Sequence, residues 1–116
     1  MKVSVTTTGR RSGQAREIPL YAFADRDRLV IVGSWGGSAR DPAWVVNLRA
    51  EPRATVKVGR EIRSVRASEV GPDEYPRLWE LVCAEFPLYA TYQRRTKRTI
   101  PLFVLEPDDT SGEKRE

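Results

Sequence analysis

The stretch TTTGRRSGQAREIPLY, Thr6 to Tyr21, packs three arginines, two glycines and a serine between two segments of strand-forming residues. Arg10, Arg11 and Arg16 supply forked cations and Ser12 a hydroxyl. The glycines let backbone N–H groups stand clear, so the parts of a phosphate or carboxylate site are present. A solvated hairpin with glycines at positive φ accounts for the same residues, and the loop alone leaves both readings open. A second stretch, GSWGGSARDPAWVVNL (33–48), places Ser34, Trp35, Gly36, Gly37 and Ser38 in a loop where backbone can approach a ligand closely. Trp35 is then either a stacking surface or ordinary packing. Trp44 reads as core, and Asn47 as a polar group on the same helix. In a third stretch, Phe86, Tyr89 and Tyr92 recur at a spacing of three, which gathers aromatics on one helical face. Such a face packs against a core, or walls a flat unsaturated ligand and offers phenols as proton donors.

These residues need elements to hold them. Lys2–Thr8 alternates with period two and predicts a strand, Ile18–Ala24 a second, and the apolar run Leu29–Gly33 a buried third. Between the last two, the residues at 25–28 read as a polar turn. Asp41 followed by Pro42 signals a helix start, with Asp as N-cap, Pro at the first helical position, and Trp44, Val45 and Leu48 on one face. Ala54–Val58 and Ile62–Val70 form a hairpin. A second helix is expected over 73–85 with Leu78, Leu81 and Val82 inward, a third over 88–97, and a last strand over 100–105. The basic run Arg94, Arg95, Lys97 and Arg98 reads as a solvated face. Six strands at hairpin distances with about three helices imply an α+β fold, mainly an antiparallel six-stranded barrel.

Composition narrows the chemistry. A chain of 116 residues with 40% hydrophobic and 31% charged content is a soluble single-domain protein in type. We read residues 1–107 as that domain and 108–116 as a polar, disordered tail. The net charge of +4 and pI near 9.6 favour anionic partners. The chain has no histidine and one cysteine, Cys83, which excludes histidine bases, ordinary zinc sites and an intramolecular disulfide, and suits the cytoplasm. We expect no metal, no signal peptide and no membrane-spanning helix.

Taken in order, TTTGRRSGQ-R-x-x-PLY, GSWGGSARDPAWVVNL and FPLYATYQRRTKRTIPLFVLEP resemble the deazaflavin-dependent nitroreductase family. This is a branch of the F(420)H2-dependent oxidoreductases with a split β-barrel, and the resemblance runs from about Val3 to Pro107. It implies coenzyme F(420), with Arg10, Arg11, Ser12 and Arg16 meeting its anionic tail. By the same match Ser34, Trp35, Gly36 and Gly37 line the phosphate or ring region, and Trp44 and Asn47 lie beside the cofactor. Tyr21, Phe86, Tyr89 and Tyr92 match positions around the substrate pocket, with Tyr92 or Tyr89 completing protonation. Trp35 stands where many relatives have lysine, and Phe86 where some have tyrosine. The chain also starts close to the first strand, without the N-terminal helix that many relatives carry, so membrane association is not expected.

The activity implied is transfer of a hydride from reduced F(420) to an electron-poor acceptor such as a quinone, nitroaromatic or activated enone. Flavin mononucleotide (FMN) is the alternative cofactor, although a single phosphate needs fewer cations than a polyanionic tail. The rival of another class is a non-catalytic basic barrel that binds a cofactor or nucleic acid. Exposed-strand positions Lys57, Arg63 and Arg66 lack interleaved aromatics, which argues against nucleic acid. The assembly expected is a monomer or homodimer.

Overall fold

The computed structural model describes residues 1–108. Six strands, β1 (Lys2–Thr8), β2 (Ala15–Asp25), β3 (Arg28–Val32), β4 (Arg53–Val58), β5 (Glu61–Glu69) and β6 (Leu102–Pro107), close into an antiparallel barrel. The order around it is β1-β2-β3-β6-β5-β4. Three helices, α1 (Ala43–Ala50), α2 (Tyr75–Glu85) and α3 (Leu88–Arg94), complete the fold.

Period-two alternation explains β1, which turns Val3 and Val5 into the barrel and Ser4 and Thr6 away from it. The unbroken apolar runs of β3 and β6 have a different cause. Ile31, Phe103 and Leu105 face a core inside the barrel, where α1 adds Trp44, Val45 and Leu48. Val30, Val32, Leu102 and Val104 face a second core under α2 and α3, with Leu78, Val82 and Tyr89. Strands covered on both faces gain from apolar residues at every position.

β2 is the element that opens a groove. Its residues 22–25 pair with β3, whereas 15–21 pair only with β1. Pro19, which has no N–H to donate, sits in that one-sided half, where proline is tolerated. Beyond Val32 the chain leaves the sheet into a loop that carries a single 3₁₀ turn, Trp35–Gly37. The uncovered half of β2 therefore faces this loop rather than another strand.

Several boundaries differ from the sequence expectation. Asp41 is not the cap of α1: Pro42 holds the N-cap position and the helix begins at Ala43, because the Asp41 carboxylate is engaged by Arg49 and Arg98, each at 2.8 Å. α3 ends at Arg94 rather than at Lys97, where the Gln93 side chain turns the chain by bonding the carbonyl of Arg98 and the N–H of Ile100. Phe86 is not on the same helix as Tyr89 and Tyr92; it closes α2, and Pro87 starts α3. The residues at 25–28 are more than a polar turn, since Asp25 is buried and holds Arg28 and Arg77. Asp108, placed in the tail, donates its N–H to Ser64 at 3.0 Å; the rest of that expected tail lies outside the described residues.

Candidate active site

Two cavities adjoin along the uncovered half of β2. The first, of ≈ 350 Å³, is walled by Arg10, Arg11 and Ser12 from the β1–β2 loop and Arg16 from the start of β2, with Glu17, Thr7 and Asn47. The second, of ≈ 540 Å³, is walled by Tyr21, Phe86, Tyr89 and Tyr92 together with Ser34, Trp35 and Gly36. Ile18, Ala43 and Trp44 line both, so one groove changes character along its length from cationic to aromatic.

The cationic end is organised from α1. Asn47 is 5% exposed, and its Oδ1 accepts from both the backbone N–H and Nη1 of Arg10, at 3.2 and 2.9 Å. Its Nδ2 donates to Thr7 at 3.4 Å, so one buried amide ties the arginine loop to β1 and α1. The tight return of the loop closes on Gly9, whose N–H donates to the Gln14 carbonyl at 2.8 Å and whose carbonyl accepts from the Gly13 N–H at 2.9 Å. Among the described residues Arg10, Arg11 and Arg16 have no ion-pair partner, whereas Arg28, Arg49, Arg53, Arg63, Arg77 and Arg98 all do. Unpaired cations converging on one cavity fit an anionic ligand. Glu17 opposes them from the same wall; its carboxylate accepts from Ser4 Oγ at 2.5 Å.

The aromatic end is a mutually packed cluster. Phe86 lies 4.7 Å from Tyr89 and 6.4 Å from Tyr92, centroid to centroid, and 6.4 Å from Tyr21. Tyr89 also meets Phe23 edge to face at 5.9 Å, which anchors the cluster to the barrel. Burial pushes the Tyr89 phenol up to about 12, helped by the neighbouring Tyr92 and Tyr21, so it keeps its proton throughout the neutral range. Trp44 both packs against Phe103 at 5.8 Å and lines the two cavities, so it belongs to core and groove together. Trp35 is 62% exposed and holds φ of +43°, a conformation that a bulky residue rarely adopts.

The structure brings together the loop, helix and aromatic residues singled out in the sequence except Gly37, which packs against the Tyr92 carbonyl, and Ser38, which lines neither cavity. Sequence reasoning missed Glu17, Ile18 and Ala43, whose types carry no signal of their own. It also missed Arg98, which is 14% exposed and bonds the loop carbonyls of Gly33, Ser34 and Ser38. Its position inside a basic run concealed it. Among the described residues no group of three or more His, Cys, Asp or Glu side chains is placed to hold a metal ion.

Comparisons with known proteins identify the family of the chain. The family model described as F(420)H(2)-dependent quinone reductase matches residues 2–107. The F(420)H(2)-dependent quinone reductase Rv1261c of Mycobacterium tuberculosis (strain H37Rv) is 40% identical over 102 residues, covering 85% of this chain and 68% of its own. A solved F(420)-H2 dependent reductase, FDR-A, superposes with a TM-score of 0.83 at 35% identity, covering 90% of this chain and 93% of that one. A solved domain-swapped dimer aligns with the same score and identity, covering 90% of this chain and 79% of that one. A split-barrel oxidoreductase whose cofactor is coenzyme F(420), this chain belongs to the F(420)H(2)-dependent quinone reductase family.

Proposed function

We propose that the cationic cavity holds the anionic tail of coenzyme F(420) and the aromatic cavity holds its ring together with the electron acceptor. The observation that carries this reading is the groove itself: three arginines without ion-pair partners at one end, five aromatic side chains at the other, and Trp44 shared between them. An elongated ligand with a polyanionic tail and a flat ring matches that division. FMN, with one phosphate, would leave part of the arginine set unused. When bound, the reduced coenzyme supplies a hydride.

The chain's own residues supply the remainder. Arg10 is held in place by Asn47, while Arg11 and Arg16 are exposed and free to adapt to a chain of carboxylates. Tyr21, Phe86 and Trp44 keep the aromatic end apolar, which shields the reacting atoms from water. Tyr89, neutral and buried, holds a proton at its phenolic oxygen, and Tyr92 stands beside it with ring centroids 6.3 Å apart. The acceptor class is a quinone, with nitroaromatics and activated enones as further candidates of the same electron demand.

Nucleic acid is not a partner in this reading, because the basic strand positions Lys57, Arg63 and Arg66 lack interleaved aromatics. No helix among the described residues is long and apolar enough to cross a membrane, and we place the protein in the cytoplasm. The domain-swapped relative supports a homodimer. The deciding experiment is fluorescence titration of the purified protein with F(420) and with FMN at physiological salt. Tighter binding of F(420) is expected; equal or reversed affinities would overturn the assignment.

A further inference from the structure

Arg98 sits in the connection between α3 and β6, in a stretch whose other basic residues, Arg94, Arg95 and Lys97, are exposed. Its guanidinium points inward instead. Nε donates to the carbonyl of Ser38 at 2.9 Å and Nη2 to that of Ser34 at 2.8 Å. Nη1 donates to the carbonyl of Gly33 at 3.1 Å and to Asp41 Oδ1 at 2.8 Å. Three carbonyls of one loop thus converge on one cation. The carbonyl of Arg98 itself accepts from Gln93 Nε2 at 2.7 Å, and Gln93 is the α3 residue next to Tyr92.

The loop and α3 meet at a second point. Gly37 has φ of +82°, and a Cβ there would fall 2.6 Å from the Tyr92 carbonyl oxygen. The loop carries Ser34, Trp35 and Gly36 to one wall of the aromatic cavity, and α3, which it touches at Gly37, carries Tyr89 and Tyr92 to the adjoining wall. We propose that Arg98 is a positioning residue that sets the spacing of those two walls, and so the fit of the acceptor, by clamping the carbonyls of 33–38 against the α3–β6 connection. That its target is the acceptor rests on the function proposed above.

Arginine suits this role where lysine does not. A rigid fork of five N–H donors reaches four acceptors in different directions, whereas an ammonium has three donors on one atom. The clamp also fixes the other side of each peptide plane. In a trans peptide the N–H opposes the C=O, so carbonyls drawn to Arg98 turn the N–H groups of Ser34, Trp35 and Ala39 away from it. Trp35, held at positive φ and largely exposed, keeps a conformation that its surroundings must impose. Without the clamp the turn can relax and Trp35 can leave the cavity wall.

The test uses the full chain with Arg98→Lys. Steady-state kinetics with reduced F(420) and a soluble naphthoquinone should give a rise of about tenfold in acceptor KM, while the cofactor Kd stays within about threefold. In ligand-free protein, acrylamide quenching of the emission lost in Trp35→Phe should increase. An unchanged acceptor KM with unchanged Trp35 quenching would overturn the proposal, whatever the change in heat stability. Equal rises in cofactor Kd and acceptor KM would overturn it too, since Arg98 would then position the coenzyme ring, which shares the aromatic cavity, rather than the acceptor. If Arg98→Lys does not fold, Asp41→Asn keeps the three carbonyl contacts and removes the charge shared by Arg98 Nη1 and Arg49, with Glu69 still holding Arg49. It should give the same shifts at about threefold, and no shift would count against the clamp. Failure of the wild-type protein to bind F(420) would refute the cofactor assignment instead, and the quenching of ligand-free protein still decides the role of Arg98.

Discussion

Arg11 and Arg16 line the polar cavity without a carboxylate partner, while Arg49 and Arg53 are each held by a neighbouring glutamate. Their free forks are worth most when an anion arrives. Arg11→Ala or Arg16→Ala should raise the cofactor KM by about 10- to 100-fold and leave kcat nearly unchanged, the signature of lost uniform binding. The effect should shrink as salt rises, because exposed charges are screened. A change confined to kcat would mean the tail binds elsewhere. Glu17 predicts the opposite sign. It faces the same cavity, so Glu17→Gln should tighten cofactor binding by about two- to fivefold at low salt, measured by titration. The phenols separate by protonation. Because Tyr89 titrates only near 12, the kcat profile should show no limb from it between about pH 6 and 10. Tyr89→Phe should lower acceptor turnover with cofactor affinity intact; a loss under about threefold would make Tyr89 packing rather than chemistry.

The elements explain why some of this was legible in the sequence and some was not. β1 and the apolar runs of β3 and β6 could be read because one or two buried faces leave a periodic mark on the chain. Capping at Asp41 could not, since a residue that suits a cap is equally good at an ion pair, and Arg98 and Arg49 from distant segments claimed it. The arginine loop and the aromatic residues were visible by type, whereas Ile18 and Ala43 line the groove only because β2 outruns β3. Asp25 was hidden for the same reason as Asp41. Buried at 6% exposure, it accepts from Arg28 and Arg77, and Glu74 contacts the same two arginines, joining the β2–β3 turn to α2. Hydrogen bonds from Arg77, then Arg28, hold the Asp25 carboxyl well below the usual range against the cost of burial. A depressed pKa stabilises the fold above the ordinary aspartate range and the benefit is lost as pH falls through the folded value. Asp25→Asn should therefore cost about 1.5–3 kcal/mol at neutral pH by denaturant melts, with the difference from wild type narrowing in strong acid. A variant as stable as wild type at neutral pH would mean that the ion-pair cluster is idle.

For the whole molecule, the core under α2 and α3 sets the response to alkali. Burial raises the phenols of Tyr75 and Tyr89 to about 12, and both belong to the core under α2 and α3. A raised folded pKa gives stability that is fully present below the unfolded value near 10 and is lost as pH climbs through the folded one. Unfolding midpoints should thus fall between about pH 10 and 12, and Tyr75→Phe should flatten part of that fall. An unchanged slope in the variant would place the alkaline transition elsewhere. The proposed homodimer is tested at this scale by sedimentation equilibrium: a monomer mass at micromolar concentration would set it aside.

The position of β6 has a consequence for the order in which the molecule assembles. It is the last of the six strands among the described residues and lies between β3 and β5, so the first five strands form an open sheet whose two unpaired edges are β3 and β5. β3 is apolar on both faces, which makes its edge the stickiest surface of any partly folded form. Closure is also the step of longest reach, since it pairs Val30 with Val104. The chain that delivers β6 to that gap passes through Arg98, so the residue that braces the finished groove also sits beside the strand that completes the barrel.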